Sequence, residues 1–290
     1  MFKKVLFPTD FSEPAKSELD CITSIPGIRE IILLHVIKQY AIPMGVETVE
    51  SLEAEATEVY LHEAKTYIAS LNPVIRVTPD ETMSTDIAGA ILERAEKHHV
   101  DLIVIHANIK GILAGMFLRS VHAKVLCGIS KINVMIMPAR LVRNLTGKTY
   151  EKFCPMIFSC ILCPVNFSGF SLKTAALAGT MKGVGEIILL HVVQKMEPDE
   201  ESDEAVTAAK IRIKALCDQL SERGIRSSGI VVTGNPEEEI ARIADEKDVS
   251  LIWMRSAGKG CLHDFFFGSM VHSVALHSTR PVIVIRSYES

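Results

Sequence analysis

The sequence predicts an α/β protein built from two tandem copies of one doubly wound, parallel, five-stranded domain, and three observations carry the prediction. First, the chain repeats itself: Lys4-Val-Leu-Phe-Pro-Thr-Asp-Phe-Ser12 returns as Cys160-Ile-Leu-Cys-Pro-Val-Asn-Phe-Ser168, and Glu30-Ile-Ile-Leu-Leu-His-Val36 returns as Glu186–Val192, both displaced by 156 residues. Later segments keep the order, Ser120 matching Ser269 at a displacement of 149, so the period is that of a whole domain and not of a solenoid repeat. Second, each copy alternates short apolar runs with longer amphipathic stretches, the pattern of strands joined by crossover helices. Third, Ile31–Leu34 and Leu102–Ile105 are apolar without alternation, which is how strands read when both faces of a parallel sheet are covered.

The first copy opens with the apolar run Lys4–Phe7 as a strand, followed by an amphipathic helix over Pro14–Ser24. Glu30–Ile37 is a long apolar run and the second strand, and Ser51–Leu71 is a long amphipathic helix. Ile75–Thr78 is a short strand, Ser84–His98 a helix, Leu102–His106 a buried strand, Ser120–Gly128 a helix and Asn133–Met137 the fifth strand. The second copy repeats the scheme, with strands at Cys160–Cys163, Glu186–Val193, Gly229–Thr233, Leu251–Met254 and Pro281–Ile285. Its helices fall near Ser171–Gly179 and over Asp203–Arg223, Pro236–Glu246 and Ser269–His277. Residues 1–140 and 156–290 are therefore expected as the two domains, with the polar stretch 141–155, which carries Gly147, as linker. The acidic run Pro198–Glu204 reads as a solvated loop and helix start favoured by the macrodipole.

At 290 residues, 48% hydrophobic and 23% charged, the chain holds enough apolar material for two cores of ordinary size, since domains commonly run to about 100–150 residues. Residues 1–145 carry 15 basic and 17 acidic side chains and residues 146–290 carry 16 and 18, so neither half has a basic footprint and no nucleic-acid partner is expected. No apolar run approaches the roughly 18 residues of a membrane span, and Met1-Phe-Lys-Lys4 leads straight into a strand. A cytoplasmic protein with no membrane partner is expected. Seven cysteines in such a chain read as buried thiols and not as a disulfide framework. Cys160 and Cys163 form a CxxC, but residues three apart on a strand point to opposite faces, and no second pair with ligand spacing completes a zinc set. No metal site is expected.

In an open parallel sheet, ligands sit beyond the carboxyl ends of the strands, where the strand order reverses. Three segments of the second copy converge there: Pro164-Val165-Asn166 after the first strand, Val192 at the end of the second, and the loop from Arg255 to Ser269 after the fourth. Gly258, Gly260 and Gly268 in that loop let backbone N–H groups approach an anion, and Gly268-Ser269 opens a helix whose first amides are free. Glycines that only turn the chain and a serine that only caps it give the same spacing, so both readings stand on these residues.

These residues resemble the universal stress proteins, whose nucleotide-binding members carry Gly-x2-Gly-x9-Gly-Ser/Thr after the fourth strand, an Asp after the first and a Pro-Val opening the fifth. Gly258 and Gly268-Ser269 match the second and third elements, Pro281-Val282 follows, and Pro8-Thr9-Asp10-Phe11-Ser12 matches in the first copy. The resemblance implies an adenine-nucleotide alpha-hydrolase-like fold with strand order 3-2-1-4-5 in each copy. It also implies an internal pseudo-dimer paired through the fifth strands, Asn133–Met137 with Pro281–Ile285; a homodimer of the full chain is left open. The implied ligand is an adenine nucleotide (ATP, ADP or AMP, with or without Mg²⁺), and the implied role is stress sensing or regulation, with the protein partner unassigned. The second-copy site would use Pro164, Val165, Asn166, Val192, Arg255, Gly258, Gly268, Ser269 and Met270, with Val192 offering backbone groups to the adenine edge.

Each copy departs from the family pattern. The first glycine of the motif falls on Arg255, which either crowds the ribose or pairs with a phosphate, and the aspartate falls on Asn166, which keeps an acceptor and adds donors. In the first copy Pro8, Thr9 and Asp10 stand as in the family and Val36 matches Val192, but His106, Ile109 and Arg119 occupy the glycine positions before Ser120. A β-branched residue tolerates positive φ poorly, so the polyphosphate grip is expected to be lost there, leaving a monophosphate paired with Arg119 or no ligand. Thr146-Gly-Lys-Thr149 only ends like a Walker A motif, His35 and His191 read as core histidines, and Phe265–Phe267 reads as core under the loop. No Ser-His-Asp set and no paired carboxylates emerge, so no catalytic residue is assigned. Nucleotide binding is the expectation; a slow ATPase with at most weak hydrolysis and a structural module with vestigial pockets are the alternatives.

Overall fold

The computed structural model describes residues 2–38, 48–106, 125, 132–138, 156–194, 201–255 and 269–286. The chain divides into two compact units, Met1–Val134 and Met135–Ser290. Its N-terminal half runs β1 (Lys4–Pro8), α1 (Glu13–Ser24), β2 (Glu30–Lys38), α2 (Thr48–Leu71), β3 (Arg76–Ser84), α3 (Ile87–Lys97), β4 (Leu102–His106) and β5 (Asn133–Met137). The C-terminal half runs β6 (Cys160–Pro164), α4 (Gly169–Ala178), β7 (Glu186–Val193), α5 (Glu201–Ser221), β8 (Ser227–Thr233), α6 (Pro236–Glu246), β9 (Leu251–Arg255), α7 (Ser269–His277) and β10 (Val282–Ile285). The expected linker 141–155 lies outside the described residues, as does the expected helix 120–128 except for Val125, which is helical.

Strand order is β3-β2-β1-β4-β5 in the first half and β8-β7-β6-β9-β10 in the second, the 3-2-1-4-5 arrangement. β1 pairs in parallel with β2 and β4, and β2 with β3; β6 pairs in parallel with β7 and β9, β7 with β8 and β9 with β10. β1 and β6 are thus the switch points. The chain leaves them toward opposite edges of the sheet, the place beyond the strands' carboxyl ends where open parallel sheets bind ligands.

The central strands are buried on both faces, which explains their unalternated apolar runs. Val5, Leu6, Phe7, Ile31–Leu34 and Leu102–Val104 have no exposure, and neither have Ile161, Leu162, Ile187, Leu251, Ile252 and Trp253 in the second half. Full burial of one such Val, Leu, Ile or Phe side chain contributes about 1.5–3 kcal/mol. Trp253, the chain's single tryptophan, donates its Nε1–H to the Thr174 carbonyl at 2.9 Å and meets Phe158 edge-on at 6.2 Å. The glutamate that opens each repeated Glu-Ile-Ile-Leu-Leu-His-Val segment ties the second strand to its outer neighbour. Glu30 accepts from Arg76 and Thr78 at 2.6 and 2.9 Å, and Glu186 accepts from Arg226 and Ser228 at 3.4 and 2.9 Å.

The third strand of the first copy is longer than its sequence suggests. Expected over Ile75–Thr78, it runs for nine residues because it pairs along the whole of β2, from Glu30 opposite Arg76 to Lys38 opposite Ser84. Pro79 has no N–H for a ladder but fits a strand with only one partner among the described residues. The helix expected from Ser84 begins instead at Ile87, since Ser84 stays in the strand and its hydroxyl accepts from Asp86 N–H at 3.0 Å. Among the described residues no helix is long and apolar enough to cross a membrane.

Candidate functional site

At the switch point of each copy stands a turn that breaks a backbone rule. After β1 and β6 the chain must swing from strand into helix within four residues, and Phe11 and Phe167 take φ of 57° and 59° to do so. An aromatic residue in the left-handed region costs on the order of 1–3 kcal/mol and persists only where its surroundings hold it. Thr9 N–H donates to Leu34 O and Val165 N–H to Leu190 O, both at 2.8 Å, fixing the turn to the neighbouring strand. His35 Nδ1 lies 2.8 Å from Thr9 O and His191 Nδ1 lies 2.8 Å from Val165 O. A carbonyl partner requires Nδ1 to carry the proton, so both histidines are satisfied donors at the turn. They are partly exposed, not core, residues.

The position after each turn's anchor is where the copies diverge. Asn166 Oδ1 accepts from Ser168 N–H at 3.1 Å and from the Ser168 hydroxyl at 2.7 Å. The backbone donor fixes which end of the amide is oxygen, so its NH₂ group points away from the turn, with no partner among the described residues. Asp10 Oδ1 accepts from Ser12 N–H at 3.0 Å in the same way, leaving a second carboxylate oxygen. Both residues are exposed, and Ser12 and Ser168 cap the helices that follow. Pro8 and Pro164 end their strands, and Val36 and Val192, half-buried, sit near the carboxyl ends of β2 and β7.

Rings and cations stack on the strained phenylalanines, and the sequence reading missed all of them. Phe11 lies 4.7 Å from His35 and 5.2 Å from Tyr60 of α2, centroid to centroid. Phe167 lies 4.4 Å from His191 and carries the guanidinium of Arg212, from α5, 4.1 Å from its centroid. The signal was the Phe in each repeated Asx-Phe-Ser block and the His in each repeated Glu-Ile-Ile-Leu-Leu-His-Val segment; the helix partners, 49 and 45 residues beyond the two phenylalanines, follow no local pattern.

At the fourth strands, His106 and Arg255 occupy the position of the family's first glycine and turn to the first helix of their copy. His106 Nδ1 contacts Glu18 Oε1, while Glu18 Oε2 is buried without a hydrogen-bond partner among the described residues. Burial pushes the Glu18 carboxyl above its ordinary value, His106 opposing the shift and Asp10 adding to it. Arg255 rests its guanidinium 4.1 Å from the Phe170 centroid in the first turn of α4. Thr174 stands where the first copy has Glu18. Gly258, Gly268, Ile109, Arg119 and Ser120 lie outside the described residues. Ser269 begins α7, followed by the exposed Met270.

Among the described residues no three His, Cys, Asp or Glu side chains cluster as metal ligands. Cys160 and Cys163 are free, and burial raises both thiols above their ordinary value, with Glu186 adding to the shift at Cys160. Cys21, fully buried in α1, is disulfide-bonded, which corrects the expectation of thiols throughout. Pairing depends on spatial neighbours that spacing does not reveal.

The sequence matches the universal stress protein family over residues 1–138 and 158–286, that is, over both copies. It is 28% identical over 161 residues to a universal stress protein of Methanocaldococcus jannaschii, covering 47% of this chain and 99% of that protein. It is 38% identical over 69 residues to universal stress protein YxiE of Bacillus subtilis, covering 24% of this chain and 47% of that protein. In fold it is similar to the crystal structure of a universal stress protein from Archaeoglobus fulgidus, with a TM-score of 0.73 at 21% identity over 99% of this chain and 97% of that one. A further likeness, with a TM-score of 0.61 at 16% identity over 98% and 93% of the two chains, is to a universal stress protein structure from Pseudomonas aeruginosa. With the family's sequence pattern present twice and its fold in each half, the chain belongs to the universal stress protein family.

Proposed function

We propose that this chain is an adenine-nucleotide-binding regulatory protein whose nucleotide site lies in the second copy. The observation that carries the reading is the Asn166 amide: its oxygen is committed to Ser168, and its two N–H donors stand at the switch point, suited to the oxygen and nitrogen acceptors of a nucleoside. Val192 stands near the end of the neighbouring strand, where backbone groups can meet a base edge. In this reading Gly258, Gly268 and Ser269 supply the phosphate amides and Met270 follows in the first turn of α7. The seating of Arg255 on Phe170 favours a guanidinium drawn toward α4 over one that crowds the ribose.

The first copy is the weaker site in the same reading. Asp10 puts an exposed carboxylate at the end of β1, which opposes a polyphosphate. Binding without meaningful turnover is the expected activity, since phosphoryl transfer rests on positioned charge and a positioned nucleophile. Isothermal titration of ATP, ADP and AMP into the full chain tests the assignment. Affinity should be lost in Gly268→Val and Asn166→Ala and kept in Asp10→Ala; the reverse pattern places the site in the first copy. Single-turnover hydrolysis near one per second, within the usual enzyme range of about 1–10³ per second, would make the protein an ATPase instead.

A further inference from the structure

We propose that Arg212 is the residue by which the second copy selects phosphorylated over unphosphorylated adenine ligands. The inference rests on the nucleotide reading above and deepens it. Arg212 is exposed on α5, has no carboxylate within ion-pair distance among the described residues, and is held by the face of Phe167, the residue next to Asn166. A planar guanidinium seated on a ring keeps its edge N–H groups available while its orientation is restricted, so it loses less freedom on meeting an anion than a loose side chain does.

The first copy shows what the position looks like without that role. There the partner of the strained phenylalanine is the uncharged Tyr60, stacked on Phe11 at 5.2 Å. The same inversion runs through the neighbouring positions: Asp10 against Asn166, the buried Glu18 against the buried Thr174, and His106 paired with a carboxylate against Arg255 on a ring. At every one of these positions the second copy is the more positive or the less negative. Arg212 differs from Arg255 in belonging to no family motif position, and its contact is with the nucleoside turn itself.

The test compares ATP with adenosine on the full chain by isothermal titration, for the wild type, Arg212→Tyr and Arg212→Lys, at two salt concentrations. Because Arg212 is an exposed helix residue, the fold should be intact in both variants, which circular dichroism checks. Arg212→Tyr should weaken ATP about tenfold, the size of one charge-assisted contact, leave adenosine unchanged and reduce the salt dependence of ATP binding. Arg212→Lys should recover part of the loss. Equal weakening of ATP and adenosine, or no change in either, overturns the proposal while leaving the nucleotide site standing. A wild-type chain that binds neither ligand overturns the nucleotide reading and this proposal with it.

Discussion

Replacing His106 by alanine removes the one hydrogen-bond partner that the described residues give a buried carboxylate, and its effect follows from the surroundings of Glu18. Glu18 is 1% exposed, its Oε1 contacts His106 Nδ1 and its Oε2 has no hydrogen-bond partner among the described residues. Breaking a buried pair by deleting one member costs about 3–5 kcal/mol, because the remaining charge is left without compensation. Glu18→Gln removes the charge and keeps a carbonyl for the imidazole, so it should lie within about 1 kcal/mol of the wild type. The double variant should resemble Glu18→Gln, and the cycle then isolates the pair. The pH dependence has a definite sign. The folded-state pKa of Glu18 is raised above 4.5, so its contribution to stability is full below about pH 4.5 and is lost as pH rises through the folded value. The deficit of His106→Ala should therefore shrink from pH 7.5 to pH 5. Amide hydrogen exchange in β1 and β4 is the assay, since Trp253 makes fluorescence a reporter of the second copy. A deficit under about 1 kcal/mol at pH 7.5, or one that is the same at both pH values, would refute the pairing argument.

Three further outcomes are expected. Gly185→Ala places a Cβ 2.4 Å from the Ser159 carbonyl oxygen, a backbone clash that should destabilise the second copy by about 1–3 kcal/mol in urea denaturation followed by Trp253 fluorescence. Ser250→Ala deletes a buried hydroxyl that lies 2.8–2.9 Å from Ile157 O and Cys160 O and accepts from Cys160 N–H. It should cost about 1–3 kcal/mol by the same measurement, and a neutral result would mean that the three contacts do not persist in solution. Cys163, 1% exposed and with its thiol pushed up by burial, should resist alkylation at pH 8 in the native chain and react in urea. Labelling at equal rates in both conditions would contradict its buried position.

The repeated segments and unalternated apolar runs made the two parallel sheets readable, because both are local consequences of burial on two faces. The extent of β3 was not readable: Pro79, Asp80 and Glu81 end the apolar run after Thr78, and only the nine-residue register against β2 draws them into the sheet. At the switch points, the turn residues Asp10 and Asn166 were readable because they repeat at a fixed displacement within one block. The Glu18–His106 contact spans 88 residues and the Arg212–Phe167 contact joins two helical crossovers, so neither leaves a spacing to recognise. The trace of the first contact in the sequence is a difference between copies: Glu18 against Thr174, and His106 against Arg255.

Native mass spectrometry of the full chain titrated with ATP tests the central claim most directly. The account predicts that one ATP adds per chain, and that the adduct survives Asp10→Ala but not Asn166→Ala. Two ATP per chain, an adduct lost with Asp10 and not with Asn166, or no adduct at any concentration would contradict it.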